Sequence, residues 1–159
     1  MKTEKAIFAA GCFWGVEANF RKVKGVISTR VGYTGGNYSN PNYKDVCSHK
    51  TGHAEAVEVT FDPSIVTYEE LLDIFWEIHN PTTLNRQGPD IGSQYRSAIF
   101  YFNDLQKEKA LNSKNMLEKS KRFKNPIVTE IVRASEFWEA EEYHQQYLEK
   151  RKSRFVFQI

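Results

Sequence analysis

Two positions in this sequence carry side chains suited to nucleophilic and acid catalysis. Cys12 stands in "AIFAAGCFWGVEANF", between Gly11 and the aromatic pair Phe13 and Trp14, where an apolar run gives way to an amphipathic one. At a helix start, unsatisfied backbone N–H groups and the helix dipole lower a thiol's pKa, and it is the thiolate that attacks. A small buried thiol packed between the aromatics is the other reading of the same position. Glu55 lies in "TGHAEAVEV", next to Ala54, Ala56 and Val57 on an alternating stretch. A carboxyl there is costly to ionise and can stay protonated near neutral pH, able to donate to an oxygen that must leave. The alternative is a plain strand residue turned to solvent or paired with a lysine.

Around these two, hydroxyls and rings accumulate. Tyr33, Tyr38 and Tyr43 precede Glu55, and "GPDIGSQYRS" supplies Asp90, Tyr95 and Arg96. A phenol polarises an acceptor oxygen without carrying charge, and Phe13 with Trp14 could cage a group the size of a methyl; packing in core and loops is the competing use of such aromatics. "CSHKTGH" places Cys47, His49 and His53 in one short window, ligand types that could begin a zinc site. No fourth ligand is evident, so no metal is expected. His79 and His144 read as capping or surface residues.

The elements that must position these groups follow from periodicity. Lys5–Ala10 reads as a short buried strand, with Cys12 at the turn into a helix marked by Val16, Phe20 and Val23 that stops near Lys24 and Gly25. "VISTRVGY" predicts a strand, followed by the long loop "TGGNYSNPNYKDVCSHKTG", whose length and tyrosines suit a functional segment. "HAEAVEVTFD" alternates as a strand, and "TYEELLDIFWEIHN" has one apolar face of Leu71, Leu72, Phe75 and Ile78 behind a capping box of Thr67 and Glu70. After a second long loop, "NPTTLNRQGPDIGSQ", come the strand Tyr95–Phe102, a charged helix capped by Asn103 or Asp104 and ending near Phe123, the strand "PIVTEIVRA", and a last helix "SEFWEAEEYHQQYLEKR" beginning under Ser135. The first six elements run βαββαβ. This predicts an α+β fold: a two-layer sandwich with a split βαβ (ferredoxin-like, alpha-beta plait) core plus an additional C-terminal helix, strand and helix, all in one domain spanning 1–159.

Composition excludes several other classes. Hydrophobic residues make up 40% of the 159 and aromatics 14%, enough for a single core and against disorder. With 22 Lys and Arg against 20 Asp and Glu, no global field favours nucleic acid or anionic membranes. The N-terminus lacks the pattern of a secretory signal and only two cysteines are present, so a cytoplasmic protein with reduced thiols is expected. The cluster "EKRKSR" reads as a solvated helix end matched to the negative pole of the macrodipole.

With these residues assembled, the chain resembles the peptide methionine sulfoxide reductase A family. The resemblance rests on "GCFWG", "GYTGG", "NPNYKDVC", "TGHAEAVEV", "GPDIGSQYRS" and "YHQQYL", in the family's order and over almost the whole chain. It implies an α+β sandwich of the split βαβ type and reduction of the S epimer of methionine sulfoxide, free or in proteins, without metal or flavin. It further implies Cys12 as nucleophile, Phe13 and Trp14 as the methyl cage, and Glu55 as the acid that protonates the sulfoxide oxygen. Tyr43 and Tyr95 would hydrogen-bond that oxygen, with Asp90 in a supporting acidic position. The product would be methionine and a sulfenic acid on Cys12.

Many members of the family resolve that sulfenic acid with cysteines in a glycine-rich C-terminal tail, whereas this chain ends "KRKSRFVFQI". The expectation is therefore a one-cysteine monomeric enzyme, with Cys47 structural and Cys12 regenerated by an external thiol, either thioredoxin or glutathione with glutaredoxin. A Cys47 that resolves Cys12 would need a Cα separation below about 7 Å. A thiol peroxidase and an RNA-binding sheet module are rival classes; the methyl-sized cage disfavours the first, and the absence of RNP-type aromatics and of excess positive charge disfavours the second.

Overall fold

Alternating and continuous apolar runs become the strands of one sheet. The computed structural model describes residues 2–151, with β1 (Glu4–Ala10), α1 (Phe13–Arg21), β2 (Val26–Thr34), α2 (Tyr43–Cys47), β3 (Ala54–Phe61) and α3 (Tyr68–Glu77) forming the first half. A small hairpin of β4 (Arg86–Gln87) and β5 (Asp90–Ile91) follows, then β6 (Ser97–Tyr101), α4 (Asp104–Ser120), β7 (Glu130–Arg133) and β8 (Trp138–Glu139). The main sheet has the order β7-β6-β1-β3-β2-β8. β3 lies between β1 and β2 and is antiparallel to both, β6 is antiparallel to β1, and β7 adds in parallel outside β6.

The two faces of the sheet bury different side chains. Ala6, Phe8 and Ala10 of β1, Val31 and Tyr33 of β2 and Val57 and Val59 of β3 meet Phe13, Val16 and Phe20 of α1 and Leu71, Leu72 and Phe75 of α3. Phe8 stacks on Phe20 at 5.0 Å between ring centroids. The opposite face carries Ile7, Ala9, Ala54, Ala56, Ala98 and Phe100, with Ala134 and Phe137 packed against it. Since successive side chains of a strand alternate, Glu55 shares the helix-covered face with Val57 and Val59. That parity, rather than its neighbours in sequence, is what buries the carboxyl to 1% exposure.

Helix starts follow local chemistry. Thr67 and Glu70 form the expected capping box on α3, and Asn103 caps α4 by accepting from the Gln106 N–H. The two long loops are more ordered than their composition suggests. The first contains α2, opened by a reciprocal cap between Asn42 and Asp45; the second contains the β4–β5 hairpin and a 3-10 turn at Ser93–Tyr95.

The last predicted helix is corrected. In place of a helix starting under Ser135, the chain runs extended, pairs β8 with β2 at Gly32↔Glu139 and Tyr33↔Trp138, and makes a 3-10 turn at Glu142–His144 before becoming helical over 147–151. Tertiary contacts outweigh helix propensity here. Thr34 Oγ1 donates to the Glu136 carbonyl at 2.8 Å and the Phe137 ring closes against Gly32. Gln145 then acts as a further rung of the sheet, its Oε1 accepting the Val31 N–H and its Nε2 donating to the Val31 carbonyl, both at 2.9 Å. Of the basic C-terminal cluster, Lys150 donates to the Glu142 carbonyl at 3.0 Å, and residues 152–154 lie outside the described residues. Among the described residues no helix is long and apolar enough to cross a membrane.

Candidate active site

Cys12 leaves β1 through Gly11, which sits at φ +102°, and becomes the N-cap of α1. The glycine also has the space it needs: a Cβ there would press on the Gln87 side chain, so the β4–β5 hairpin packs directly over the turn. The half-buried thiol makes no side-chain cap hydrogen bond. Burial pushes it up to about 11; the Trp14 N–H opposes that rise, and the charges of Glu55 and Asp90 add to it. The expectation of a thiol pulled down by its helix is thus reversed, because desolvation and two nearby carboxylates outweigh the helix start.

Glu55 reaches the same turn from β3. Its Oε1 accepts the Phe13 N–H at 3.3 Å, while its Oε2 is buried and has no hydrogen-bond partner among the described residues. Burial pushes the carboxyl up to about 7, with the Phe13 N–H opposing and Asp90 adding to the rise. The solvent-facing reading of Glu55 fails on this geometry.

The two tyrosines arrive from different loops. Tyr43 opens α2, and Tyr95 closes the 3-10 turn beyond the hairpin that carries Asp90. Burial and then the charges of Glu55, Cys47, Asp90 and Cys12 push the Tyr95 phenol up to about 12. Burial and contact with Cys47 likewise raise Tyr43 above the ordinary phenol range, and Glu55 and Tyr95 act on it too. Both phenols therefore keep their protons and remain donors. Phe13 is only 1% exposed, its ring against Tyr33 and His144, so Trp14 is the more accessible wall of the aromatic pair. The Trp14 ring lies on Tyr147 at 3.8 Å with 13° between planes.

The histidines and Cys47 resolve individually. His53 accepts the Gly36 N–H on Nδ1 at 3.0 Å and donates from Nε2 to the Tyr38 carbonyl at 2.7 Å, so neither ring nitrogen is free for a metal. His49 Nδ1 donates to Gln94 Oε1 at 2.9 Å. Both cysteines are free. His79 does sit at the end of α3, bonded to the Phe75 carbonyl and to Ser97 Oγ, each at 2.7 Å. His144, expected at a cap or the surface, is fully buried at the back of the site, where the corrected C-terminal segment carries it inward.

That segment and α1 supply carboxylates the sequence reading did not single out, Glu141 and Glu17. Glu141 accepts the Tyr33 hydroxyl on one oxygen and the Tyr43 N–H on the other, each at 2.9 Å. Burial works against its charge, but these donors hold the carboxylate below its ordinary range. Glu17, 1% exposed, accepts from the Gln146 N–H at 2.7 Å and from Thr29 Oγ1 at 2.7 Å. The available signal was positional: Glu17 occupies an inward-facing place on α1, and Glu141, His144 and Gln145 lie in or beside "YHQQYL".

A cysteine at a helix start, a protonatable carboxyl beside it and two neutral phenols are groups suited to a thiol-based oxidoreductase. The chain belongs to the peptide methionine sulfoxide reductase family, whose pattern matches residues 4–158, and is an enzyme of that class. It is 66% identical over 151 residues to peptide methionine sulfoxide reductase MsrA of Methanothermobacter thermautotrophicus, covering 95% of this chain and 89% of the relative. Among solved structures it resembles reduced Mxr1 from Saccharomyces cerevisiae, with a TM-score of 0.88, 39% identity and coverage of 94% and 86% of the two chains. It also resembles Mxr1 in its complex with Trx2, at a TM-score of 0.65 and 26% identity, covering 92% of this chain and 85% of that one.

Proposed function

We propose that the enzyme reduces the S epimer of methionine sulfoxide, free or in proteins, with Cys12 as nucleophile and Glu55 as the proton donor. The observation that carries this reading is the Glu55 carboxyl: buried, joined to the Cys12 turn through the Phe13 N–H, with one oxygen unpartnered among the described residues, and pushed up to about 7 by its burial. The thiol at about 11 is then the natural source of the proton. Cys12 passes it to Glu55, leaving a thiolate that attacks the sulfoxide sulfur while Glu55 protonates the oxygen. In balance, thiol plus sulfoxide gives sulfenic acid plus thioether. Oxygen moves from methionine to Cys12, whose sulfur loses the two electrons that the methionine sulfur gains.

Tyr43 and Tyr95 donate to the sulfoxide oxygen, and Asp90 supports them from the hairpin. Trp14 forms the main wall for the substrate methyl, with the edge of Phe13 behind it. No bound cofactor takes part. The Cys12 sulfenic acid is reduced by an external thiol, thioredoxin or glutathione with glutaredoxin; the Mxr1–Trx2 complex supports the first. Cys47 is structural, and the protein acts as a monomeric single catalytic domain in the cytoplasm. The strand order β6-β1-β3-β2 supports assigning the core to the ferredoxin-like split βαβ type.

The test is intact mass spectrometry of the reduced protein after one stoichiometric exposure to each epimer without reductant. Oxygen added at Cys12 with the S epimer alone is the expected result. Loss of two hydrogens would make Cys47 the resolver, and no change with either epimer would overturn the assignment of substrate.

A further inference from the structure

We infer that His144 is a positioning residue of this site, its Nδ1 lone pair holding the Trp14 indole in place as the wall of the methyl pocket. The inference rests on the methionine sulfoxide reading and adds the residue that sets the shape of its binding wall.

The indole is held at two points. Trp14 Nε1–H donates to His144 Nδ1 at 2.9 Å, and the ring lies on Tyr147 at 3.8 Å. His144 is itself fixed by its chain neighbours: Gln145 pairs with Val31, and the Gln146 N–H is held by Glu17 at 2.7 Å. Its imidazole also packs on Phe13 at 5.1 Å and on Tyr43 at 4.6 Å between centroids, so one ring touches three residues of the proposed site.

The tautomer follows from the indole bond. Indole N–H is a donor only, so Nδ1 must be bare and the proton of the neutral imidazole must sit on Nε2. That nitrogen is buried and has no partner among the described residues. A phenyl ring would fill the same aromatic shell without an unsatisfied N–H, which costs free energy in a buried place. What the imidazole offers in exchange is the acceptor for Trp14. A doubly protonated ring has no acceptor and would set two donors against each other. The groups facing the ring are Glu141 and Tyr143 from its own segment and Tyr43 from α2; burial keeps the imidazole neutral despite the Glu141 charge.

The test compares wild type with His144→Phe, which keeps the ring and removes the acceptor, and His144→Asn, whose side-chain oxygen can replace Nδ1. Two readouts are taken: hydrogen exchange of the Trp14 indole N–H by NMR, assigned with Trp14→Phe, and KM and kcat for methionine S-sulfoxide. His144→Phe should lose protection of the indole N–H and raise KM about tenfold, with kcat changed less than about threefold, as for loss of a binding wall. His144→Asn should recover most of both. An unchanged KM in His144→Phe, or equal impairment of both variants, would overturn the inference. If His144→Phe does not fold, wild type decides: a Trp14 indole N–H that exchanges as freely as an exposed tryptophan sinks it, and a protected one upholds it. Absence of sulfoxide turnover in wild type would overturn the proposed substrate instead, while the indole exchange would still report on the anchor.

Discussion

Glu55 and Phe13 are joined by one hydrogen bond, from the backbone N–H to Oε1 at 3.3 Å, and this contact brings a buried acid to the residue next to the cysteine. The other carboxylate oxygen has no partner among the described residues, so ionisation is resisted from inside the fold.

The first consequence is a pH-dependent strain that a single substitution removes. The Glu55 carboxyl lies at about 7 in the folded chain against an ordinary 4.5, so the fold favours the neutral acid. That contribution is complete below 4.5 and is lost as pH rises through 7. Glu55→Gln should therefore match wild type in acid and exceed it by roughly 3 kcal/mol above neutrality, as read from denaturant unfolding at several pH values. A constant difference across pH would contradict the raised carboxyl.

The same variant tests chemistry. Glu55→Gln should retain about a hundredth of wild-type kcat because the amide can donate a hydrogen bond but no proton, and Glu55→Ala should be lower still. Full activity in Glu55→Ala would remove the acid role, whereas Cys12→Ser should abolish turnover.

The pH–rate profile carries the signature of a shared proton. The active form, with Glu55 protonated and Cys12 ionised, holds as many protons as the dominant form between 7 and 11, so its fraction is constant there. kcat/KM should rise up to about 7, hold level, and fall above about 11. In Glu55→Gln the rate should instead climb with pH toward the thiol's own ionisation. A wild-type optimum well below 7 would contradict this scheme.

Regeneration is tested by Cys47→Ser. The variant should take up oxygen at Cys12 as wild type does and should keep steady turnover when thioredoxin or glutaredoxin with glutathione is supplied. A disulfide formed in wild type and absent from the variant would instead identify Cys47 as the resolver.

Gln145→Ala removes a side chain that bonds the Val31 N–H and carbonyl and also donates to the Ala140 carbonyl at 3.0 Å. A loss of roughly 2–3 kcal/mol in urea unfolding is expected, chiefly from the Val31 N–H left unpaired, since the Val31 carbonyl still accepts the Ala140 N–H. Displacement of the C-terminal segment should lower activity with it, because Glu141 and His144 belong to that segment.

Strand alternation, helix caps and motif spacing made most of this architecture legible in advance. Thr67 with Glu70, Asn103 and the strand carrying Glu55 behave as local patterns require. The last helix forms only over 147–151, because the earlier part of "SEFWEAEEYHQQYLEKR" has helical composition but partners far away in sequence: Thr34 takes Glu136, Val31 takes Gln145 and Glu17 takes Gln146. His144 was misplaced for the same reason. The state of Cys12 was hidden too, since a helix start lowers a thiol only when burial and nearby carboxylates do not outweigh it.

The Gln145 rung has a bearing on how the molecule meets copies of itself. Without it and β8, β2 would present a bare row of peptide groups, the template on which aggregates grow. A side-chain amide satisfies that row at Val31, next to the two residues that β8 pairs, and the opposite border ends in β7, a short strand carrying Glu130 and Arg133. The segment that completes the site thus also closes one border of the sheet to self-association, so truncation behind β8 should yield a protein that is both inactive and prone to aggregate.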